Sequence, residues 1–486
     1  MKKIFFSLFF INISLLGSQE IINLTISLAQ IEIFTRKISN SLQAYVFQNL
    51  VNKSQQFEKQ TRVSFPTQAN RIATIAGNDP IKKATIVNQA KETYPIMHTK
   101  VRPLIDDFLR CKKTTGSEIE KKLYETMTFD AFINRLLINR PLAFLNPSDK
   151  YLLQNSQRGE GGFEAIGTDN EKLPLLFNDY LSYDEMQISA LLGVSSPTYF
   201  INNGSRNNNG NAAAAGTYQE TGVYVALVGA RFERKNVMEW KHMIITPEQN
   251  TLENGYGRTK KNQNSVLQLW EKFYDTTFPT YQEAESSQNK NKFTEFYLSS
   301  STKPFYLNND VYKKRMRLVL EPFLLDANKR GQTLLKTVYV HITGLGMGAW
   351  KALNQQENLF FDVCQEILKD LDLPFIHDID FSWFNATKQN MQTGKNTISI
   401  KFSKRNPADS LQGSDKDKLL VACFAWDGNS YTGNEYWMGS TNASADPAAA
   451  SCSTVAELQN PRINDHVAAK YLQTCGLTDW KVRGAV

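Results

Sequence analysis

The sequence feature that most constrains the fold is a strand, a glycine-rich turn, a helix and a second strand in direct succession between residues 334 and 383. Residues 335–342 form an apolar, β-branched run that is typical of a buried strand. Apolar residues then recur at three- and four-residue spacing over residues 359–371, which predicts a helix. Residues 375–381 predict a second short strand. This alternation indicates an α/β fold.

The turn after the first strand carries three glycines at alternate positions, Gly344, Gly346 and Gly348. Glycine accepts positive φ, and its lack of a side chain lets backbone N–H groups approach a ligand closely. The N-terminus of the helix that follows adds partial positive charge. The turn therefore predicts a phosphate site. The alternative is a purely structural turn, because glycine-rich turns between a strand and a helix are common in α/β proteins.

The second strand carries two carboxylates, Asp378 and Asp380. Side chains alternate along a strand, so both point to the same face of the sheet. Paired carboxylates beside a phosphate-binding backbone suggest a nucleotide-like ligand and acid–base chemistry. The alternative is that this strand end is simply solvated, since charged residues are mostly exposed.

A second loop rich in glycine, asparagine and aspartate follows the continuous apolar run at residues 419–426, and it begins with Asp427, Gly428 and Asn429. Ligands of open α/β sheets bind outside the carboxyl ends of strands. We therefore expect the loops that follow residues 342 and 426 to face one crevice.

The chain of 486 residues is long enough for more than one domain. Residues 30–160 have helical periodicity and predict a helical region, and residues 165–486 predict the α/β domain. Residues 1–29 begin with two lysines followed by an apolar stretch, which predicts a signal peptide or N-terminal anchor and therefore a secreted or exported protein. The alternative is a cytoplasmic location, including the cytoplasm of a host cell. No later segment is apolar enough to predict a membrane span.

Charge and cysteine content argue against several functional classes. The net charge of +7 is spread along the chain, and the basic run at residues 313–317 has the pattern of a helix face, so we predict no nucleic-acid binding. The five cysteines are far apart and form no CxxC pair or zinc-ligand cluster, so we predict no metal site. A Gly-x-Ser-x-Gly nucleophile elbow is absent from the sequence, which argues against a serine hydrolase.

Four motifs occur in order along the chain: Gly229-Ala-Arg-Phe-Glu233 with Met238-Glu-Trp240, Gly344-Leu-Gly-Met-Gly348, His377-Asp-Ile-Asp-Phe381, and Asp427-Gly-Asn-Ser-Tyr-Thr-Gly-Asn-Glu-Tyr-Trp437. Taken together, they resemble the MavL-like effector family, which is a family of divergent macrodomain ADP-ribosylhydrolases related to poly(ADP-ribose) glycohydrolases. The resemblance implies a macrodomain-like mixed sheet flanked by helices, preceded by the helical region. It also implies removal of ADP-ribose from a modified protein, with ADP-ribosylated arginine of ubiquitin as one candidate substrate, and it implies no cofactor.

The same resemblance implies roles for individual residues. The catalytic carboxylates are predicted to be Asp378, Asp380 and Asp427. The residues predicted to bind ADP-ribose are Gly344, Leu345, Gly346, Met347, Gly348, Gly428, Asn429, Gly433 and Asn434. The chain departs from the macrodomain pattern in one respect, because the usual Gly-Gly-Gly run is missing after Asn429.

Three other functions fit parts of the pattern. A module could bind ADP-ribose without cleaving it. An NAD-dependent oxidoreductase would use Gly344-x-Gly346-x-x-Ala349 as its dinucleotide fingerprint and Asp378 or Asp380 as the ribose acid. That acid lies beyond the usual spacing of about 20 residues. A secreted adhesin or structural protein would bind no nucleotide at all.

Overall fold

The structure is a computed structural model, and it describes residues 28–260, 265–288, 291–298, 301–385, 391 and 394–478. Nearly all of the segment predicted as a signal peptide, residues 1–29, lies outside the described residues, so export stays a prediction. In the described part of the chain, no helix combines the length and the apolar character that crossing a bilayer requires.

The helices are distributed along the whole described chain. They are α1 (Leu28–Thr61), α2 (Ile72–Ala76), α3 (Pro80–Lys91), α4 (Val101–Thr115), α5 (Glu118–Tyr124), α6 (Phe129–Ile138), α7 (Tyr183–Ser189), α8 (Trp240–Met243), α9 (Ser265–Tyr274), α10 (Tyr281–Glu285), α11 (Asn309–Leu334), α12 (Gln356–Asp370), α13 (Ala445–Cys452) and α14 (Val455–Leu458). Short 3₁₀ turns occur at Phe163–Ala165, Arg206–Asn208, Gly413–Asp415, Asn434–Met438 and Ala469–Tyr471.

The strands form one large sheet and two small ones. They are β1 (Tyr94–His98), β2 (Ala143–Leu145), β3 (Lys150–Leu152), β4 (Arg158–Glu160), β5 (Leu192–Tyr199), β6 (Thr221–Val228), β7 (Ile244–Ile245), β8 (Phe293–Phe296), β9 (Phe305–Asn308), β10 (Val338–Ile342), β11 (Ile376–Ser382), β12 (Ser399–Ser403), β13 (Leu419–Trp426) and β14 (Gln473–Cys475). The central sheet has eight strands in the order β12-β11-β10-β13-β6-β5-β1-β14.

The central sheet is mixed. From β12 to β6 each strand runs parallel to its neighbour. β5 is antiparallel to both β6 and β1, and β1 is parallel to β14. The small sheets β2-β3-β4 and β7-β9-β8 are antiparallel. The α/β prediction of a mixed sheet flanked by helices is confirmed.

Helices cover both faces of this sheet, as two side chains of β5 demonstrate. Ser195 and Thr198 lie three positions apart on the strand and therefore point to opposite faces. Ser195 Oγ donates to Asp326 of α11 at 2.6 Å, whereas Thr198 Oγ1 lies 2.6 Å from Thr454 Oγ1, directly before α14. The core therefore has three layers, with α11 on one face and α14 on the other.

The central strand–turn–helix–strand prediction agrees with β10, α12 and β11, and the apolar run at residues 419–426 is β13. The region that we predicted to be helical also supplies β1 to the central sheet. Residues 30–160 and residues 165–486 therefore share one sheet, which periodicity alone did not indicate because β1 is a single short strand between helices.

One buried arginine joins α11 to the loop that follows β6. Arg315 is 1% exposed, and its guanidinium donates to the carbonyl oxygens of Ala190 at 3.0 Å and Gly229 at 3.3 Å. It also pairs with Glu239, which precedes α8, at 3.1 Å. Burial raises the pKa of Glu239, so the carboxylate depends on this cation to remain ionised.

We expect Arg315→Met to lower the free energy of unfolding by about 3–5 kcal/mol, because the substitution leaves a buried carboxylate without its cation. The double variant Arg315→Met/Glu239→Gln should recover part of that loss, since it leaves no uncompensated charge. Urea denaturation followed by circular dichroism measures both effects.

The matched control is Lys313→Met on the same helix. Lys313 pairs with Glu366 at 2.9 Å, and the carboxylate of that pair is 47% exposed, so we expect a loss of less than about 1 kcal/mol. Equal losses in the two single variants would show that Arg315 has no special structural role.

Candidate active site

A cavity of about 370 Å³ lies at the carboxyl edge of the parallel strands. The neighbouring strands β10, β13 and β6 end at this edge, and the loops that leave them line the cavity. The cavity is also lined by residues 144–146, by Arg206, by Asn434 and Glu435 of the turn Asn434–Met438, and by residues 443–446 at the start of α13. The two loops that we expected to face one crevice thus line the same cavity.

The glycine loop after β10 packs directly against the loop after β6. A Cβ on Gly229 would lie 2.3 Å from the backbone nitrogen of Gly346, which is too close for any side chain. Gly346 itself has a φ of +67°, and a Cβ there would lie 2.7 Å from the carbonyl oxygen of Ala230. Both positions therefore require glycine, and Gly344, Gly346 and Gly348 all line the cavity.

Of the other residues predicted to bind ligand, some line the cavity and some do not. Asn434 lines the cavity, whereas the side chain of Leu345 is fully buried in the core and Met347 packs against that core. Gly428, Asn429 and Gly433 are not among the lining residues and shape the second loop instead. The helix N-terminus that we expected beside the glycines is also more distant, because α12 begins only at Gln356.

Asp427 is the one predicted catalytic residue that lines the cavity. Its carboxylate accepts hydrogen bonds from the backbone N–H groups of Asn429 and Ser430 at 2.9 Å each and from Asn434 Nδ2 at 2.6 Å. Burial raises the pKa of Asp427, while these hydrogen bonds and the charge of Arg140 oppose that rise. Asp427 is therefore the carboxylate in the cavity that has the most support for its negative charge.

Asp446 lines the same cavity from the first turn of α13. Its Oδ1 accepts from the backbone N–H of Gly433 at 2.6 Å, and its Oδ2 has no hydrogen-bond partner among the described residues. Burial, together with the charges of Asp427 and Glu435, raises the pKa of Asp446 well above its ordinary value. Asp446 is accordingly the member of the cluster that is best suited to hold a proton.

Glu435 completes the cluster from the 3₁₀ turn Asn434–Met438. Burial and the charge of Asp427 raise the pKa of Glu435. Its Oε1 accepts a long hydrogen bond from Ser444 Oγ at 3.5 Å, and its Oε2 has no partner within the described part of the chain. The cavity thus contains three carboxyl groups with raised pKa values, which is an arrangement typical of acid–base sites.

Asp378 and Asp380 do not line this cavity. Asp378 forms ion pairs with Lys401, at 2.8 Å, and with Lys418. Asp380 Oδ2 accepts from Tyr339 Oη at 2.8 Å and from Ser403 Oγ at 2.9 Å. Both lie within β11 rather than after its end, so their contacts join neighbouring strands, and their catalytic role stays a prediction that the geometry does not favour.

Glu435, Asp446 and Glu233 line the cavity, although we did not predict a catalytic role for them. Asp446 precedes Pro447 in a pattern that is typical of the start of a helix. The sequence around it therefore gave no reason to expect a catalytic role. Glu435 and Glu233 lie inside two of the motifs that carry the family resemblance. The acidic residues within those motifs could have been considered as catalytic candidates. Periodicity could not identify them, because they come together only in the folded chain.

Among the described residues, no group of three or more His, Cys, Asp or Glu side chains has an arrangement that could hold a metal ion. The cavity is lined both by glycine backbone and by carboxyl groups. Glycine backbone can present N–H groups to an anion, and clustered carboxyl groups suit the transfer of protons and the stabilisation of positive charge.

Comparison with known proteins gives a consistent result. The model of the family described as ADP-ribosylhydrolase MavL-like matches residues 48–479. The chain is 35% identical over 404 residues to the Drosophila melanogaster protein named ADP-ribosylarginine hydrolase CG2909, covering 79% of each chain. It is 37% identical over 411 residues to ADP-ribosylarginine hydrolase CG3568 of the same organism, covering 78% of this chain and 77% of the relative.

The family match includes most of the region that we predicted to be helical, which agrees with the contribution of β1 to the central sheet. It covers both loops of the cavity and all three of its clustered carboxyl groups. The chain therefore belongs to the MavL-like ADP-ribosylhydrolase family, and it is a hydrolase that cleaves ADP-ribosyl bonds.

Proposed function

We propose that this enzyme removes ADP-ribose from arginine side chains of modified proteins, with ADP-ribosylated ubiquitin as one candidate substrate. The arginine linkage is supported by the names of the two Drosophila relatives. The observation that carries the proposal is that Asp427, Glu435 and Asp446 share one cavity with the glycine loop. A ligand with a diphosphate and a reactive sugar can contact both sides of such a cavity at once.

In this proposal the diphosphate lies against the backbone of Gly344, Gly346 and Gly348. Their N–H groups can approach the phosphate oxygens because no side chain intervenes. The distal ribose then lies beside the clustered carboxyl groups, and the modified arginine approaches from the open mouth of the cavity. The volume of about 370 Å³ is within the range of small-molecule sites.

Hydrolysis breaks the bond between the anomeric carbon of the ribose and a guanidinium nitrogen, and it forms a bond from that carbon to a water oxygen. One proton leaves the water for a carboxylate, and one proton reaches the departing nitrogen. Positive charge develops on the sugar in the transition state, and nearby carboxylates stabilise it.

The environments of the three acids support a division of these roles. Asp427 has the most hydrogen-bond donors and is suited to stabilise the developing positive charge. Glu435 has an oxygen without a partner among the described residues, and it is suited to accept the proton from water. Asp446 is suited to supply the proton that the leaving nitrogen takes, since its pKa is raised well above its ordinary value.

The test is to incubate the enzyme with ubiquitin carrying ADP-ribose on arginine and to measure released ADP-ribose and restored arginine by mass spectrometry. Substrates with ADP-ribose on serine or glutamate serve as linkage controls. Release from arginine alone supports the proposal. Binding of ADP-ribose without release, or a nicotinamide absorbance change with NAD, would contradict it.

Removing a carboxylate from the cavity is expected to slow the reaction strongly. We predict that Asp427→Asn and Glu435→Gln each lower kcat by about 10²- to 10⁴-fold, as expected for the loss of charge stabilisation or of a general base. Single-turnover release of ADP-ribose measures the effect independently of product dissociation.

Asp378→Asn is the comparison that separates the two assignments of the catalytic acids. Asp378 is paired with Lys401 and lies outside the cavity lining, so we expect its kcat to remain within about threefold of the wild-type value. A fall in kcat comparable to that of Glu435→Gln would return the catalytic role to the residues of β11.

Gly346→Ala is expected to abolish measurable binding of ADP-ribose while the protein remains folded. The added methyl group would lie 2.7 Å from the carbonyl oxygen of Ala230, so the glycine loop must move away from the loop after β6. Gly216→Ala is the matched control, since Gly216 also has a positive φ, +80°, a Cβ there meets nothing within 4 Å, and Gly216 does not line the cavity. Calorimetric titration measures both affinities, and equal affinities in the two variants would contradict the binding role of the glycine loop.

Asp446→Asn is expected to stabilise the fold at neutral pH although it impairs turnover. A buried acid with a raised pKa contributes stability at low pH and loses it as the pH rises from the unfolded pKa, about 4, through the folded pKa. Asparagine has no such dependence, so the Tm of the variant relative to wild type should increase between about pH 5 and pH 8. A difference in Tm that is constant across this range would contradict the assignment.

A further inference from the structure

A buried cation lies behind the active-site cavity. Arg140 is 2% exposed, it follows α6, and it is not among the residues that line the cavity. Within the described part of the chain its guanidinium forms no ion pair; it donates to the carbonyl oxygen of Leu136 at 2.6 Å and lies 4.4 Å from the ring centre of Trp426. Burying an arginine without a carboxylate partner is costly, so its presence requires an explanation.

Arg140 is connected to the active-site loop through one hydroxyl group. Its Nη2 donates to Ser189 Oγ at 2.7 Å, and Ser189 Oγ donates to the carbonyl oxygen of Gly428 at 2.7 Å. Arginine can only donate, so Ser189 must accept from it, and the hydroxyl proton is left to point at Gly428. The connection therefore ends on the residue directly after Asp427.

The same segment holds this loop at further points. The backbone N–H of Tyr431 donates to the carbonyl oxygen of Pro141 at 3.1 Å, and its hydroxyl donates to that of Ile138 at 3.0 Å. Asn434 exchanges two hydrogen bonds with the backbone of Phe144, at 2.8 Å and 3.0 Å. Residues 138–144 thus hold the part of the loop that follows Ser430, while Ser189 holds the part that precedes it.

We propose that Arg140 is a positioning residue for the reaction, which holds the loop of Asp427 through Ser189 and stabilises the ionised form of that carboxylate by its charge. The catalytic part of this proposal rests on the proposed function of the cavity. Arg140 itself touches neither the cavity nor, therefore, the reacting atoms.

The charges around Asp427 indicate the direction of the electrostatic effect. Asp427 faces Arg140 behind the cavity, and Arg140 also faces the hydroxyl of Tyr431. Glu435, Asp446, Glu233 and the exposed Arg206 line the cavity together with Asp427. Arg140 is the buried cation of this set, so its loss removes a charge that favours the ionised form of Asp427 and leaves the burial and the acidic neighbours that disfavour it. Removing it must disfavour the ionised carboxylate.

Hydrogen exchange followed by mass spectrometry tests the positioning role without reference to activity. In the full chain, Ser189→Ala and Arg140→Gln should each speed amide exchange in residues 427–434 by about five- to tenfold, as expected for the loss of one buried hydrogen bond. Ser195→Ala is the matched control, since Ser195 is a buried serine that accepts from Arg330 at 2.9 Å and donates to Asp326 at 2.6 Å, away from the loop of Asp427. Unchanged exchange in Ser189→Ala, or equal acceleration in the control, would overturn the proposal.

The pH dependence of kcat then separates the two parts of the role. Arg140→Gln should move the acid limb of the profile upward by about one pH unit, because Asp427 ionises less readily without the cation. Ser189→Ala should lower kcat and leave that limb in place, and the control Ser195→Ala should leave it in place as well. If the acid limb of Arg140→Gln does not move, the electrostatic part of the proposal is wrong. If the wild-type enzyme releases no ADP-ribose, the proposed function is wrong, but the hydrogen-exchange test of the positioning role remains valid.

Discussion

The parallel pairing of β10, β13 and β6 is the constraint on which the rest of the site depends. His341 of β10 pairs with Ala422 of β13, and Trp426 of β13 pairs with Val228 of β6. Because all three strands run in the same direction, the loops that leave them meet at one edge. The loops after β6 and β10 meet there in the close backbone contact between Gly229 and Gly346, beside the cavity that both loops line.

The cavity holds acids in a cluster that a fold selected for stability alone would avoid. The protein offsets part of the cost for Asp427 with donors from its own loop and with the cation of Arg140. It leaves one oxygen each of Glu435 and Asp446 without a hydrogen-bond partner among the described residues. Buried oxygens without partners lower stability, and in the proposed mechanism these two carboxyl groups offset that cost by exchanging protons with the substrate and water.

The sequence predicted the framework of this site better than its chemistry. Apolar runs and apolar spacing predicted β10, α12, β11 and β13, because buried strands and amphipathic helices have characteristic patterns of apolar residues in the sequence. The glycine loop and Asp427 could be predicted because ligands meet strand ends at a sheet edge. The family resemblance supplied the reaction class, which the family match and the relatives support.

The remaining acids could not be predicted in this way. Asp378 and Asp380 share a face of β11 as alternation requires, but their partners, Lys401 and Tyr339, come from the strands on either side. Asp446 reaches the cavity because α13 returns to the sheet edge, and that return depends on long-range packing rather than on local pattern. Arg140 acts from the region that we predicted to be helical, for which the sequence indicated no chemistry.

We propose that ADP-ribose binds between the glycine loop and the carboxyl groups of Asp427, Glu435 and Asp446. A crystal structure of the full chain with ADP-ribose tests this binding mode. We expect the diphosphate against the backbone of residues 344–348 and the anomeric carbon of the distal ribose within contact distance of the three carboxyl groups. Density for the distal ribose beside Asp378 and Asp380, or outside this cavity altogether, would contradict it.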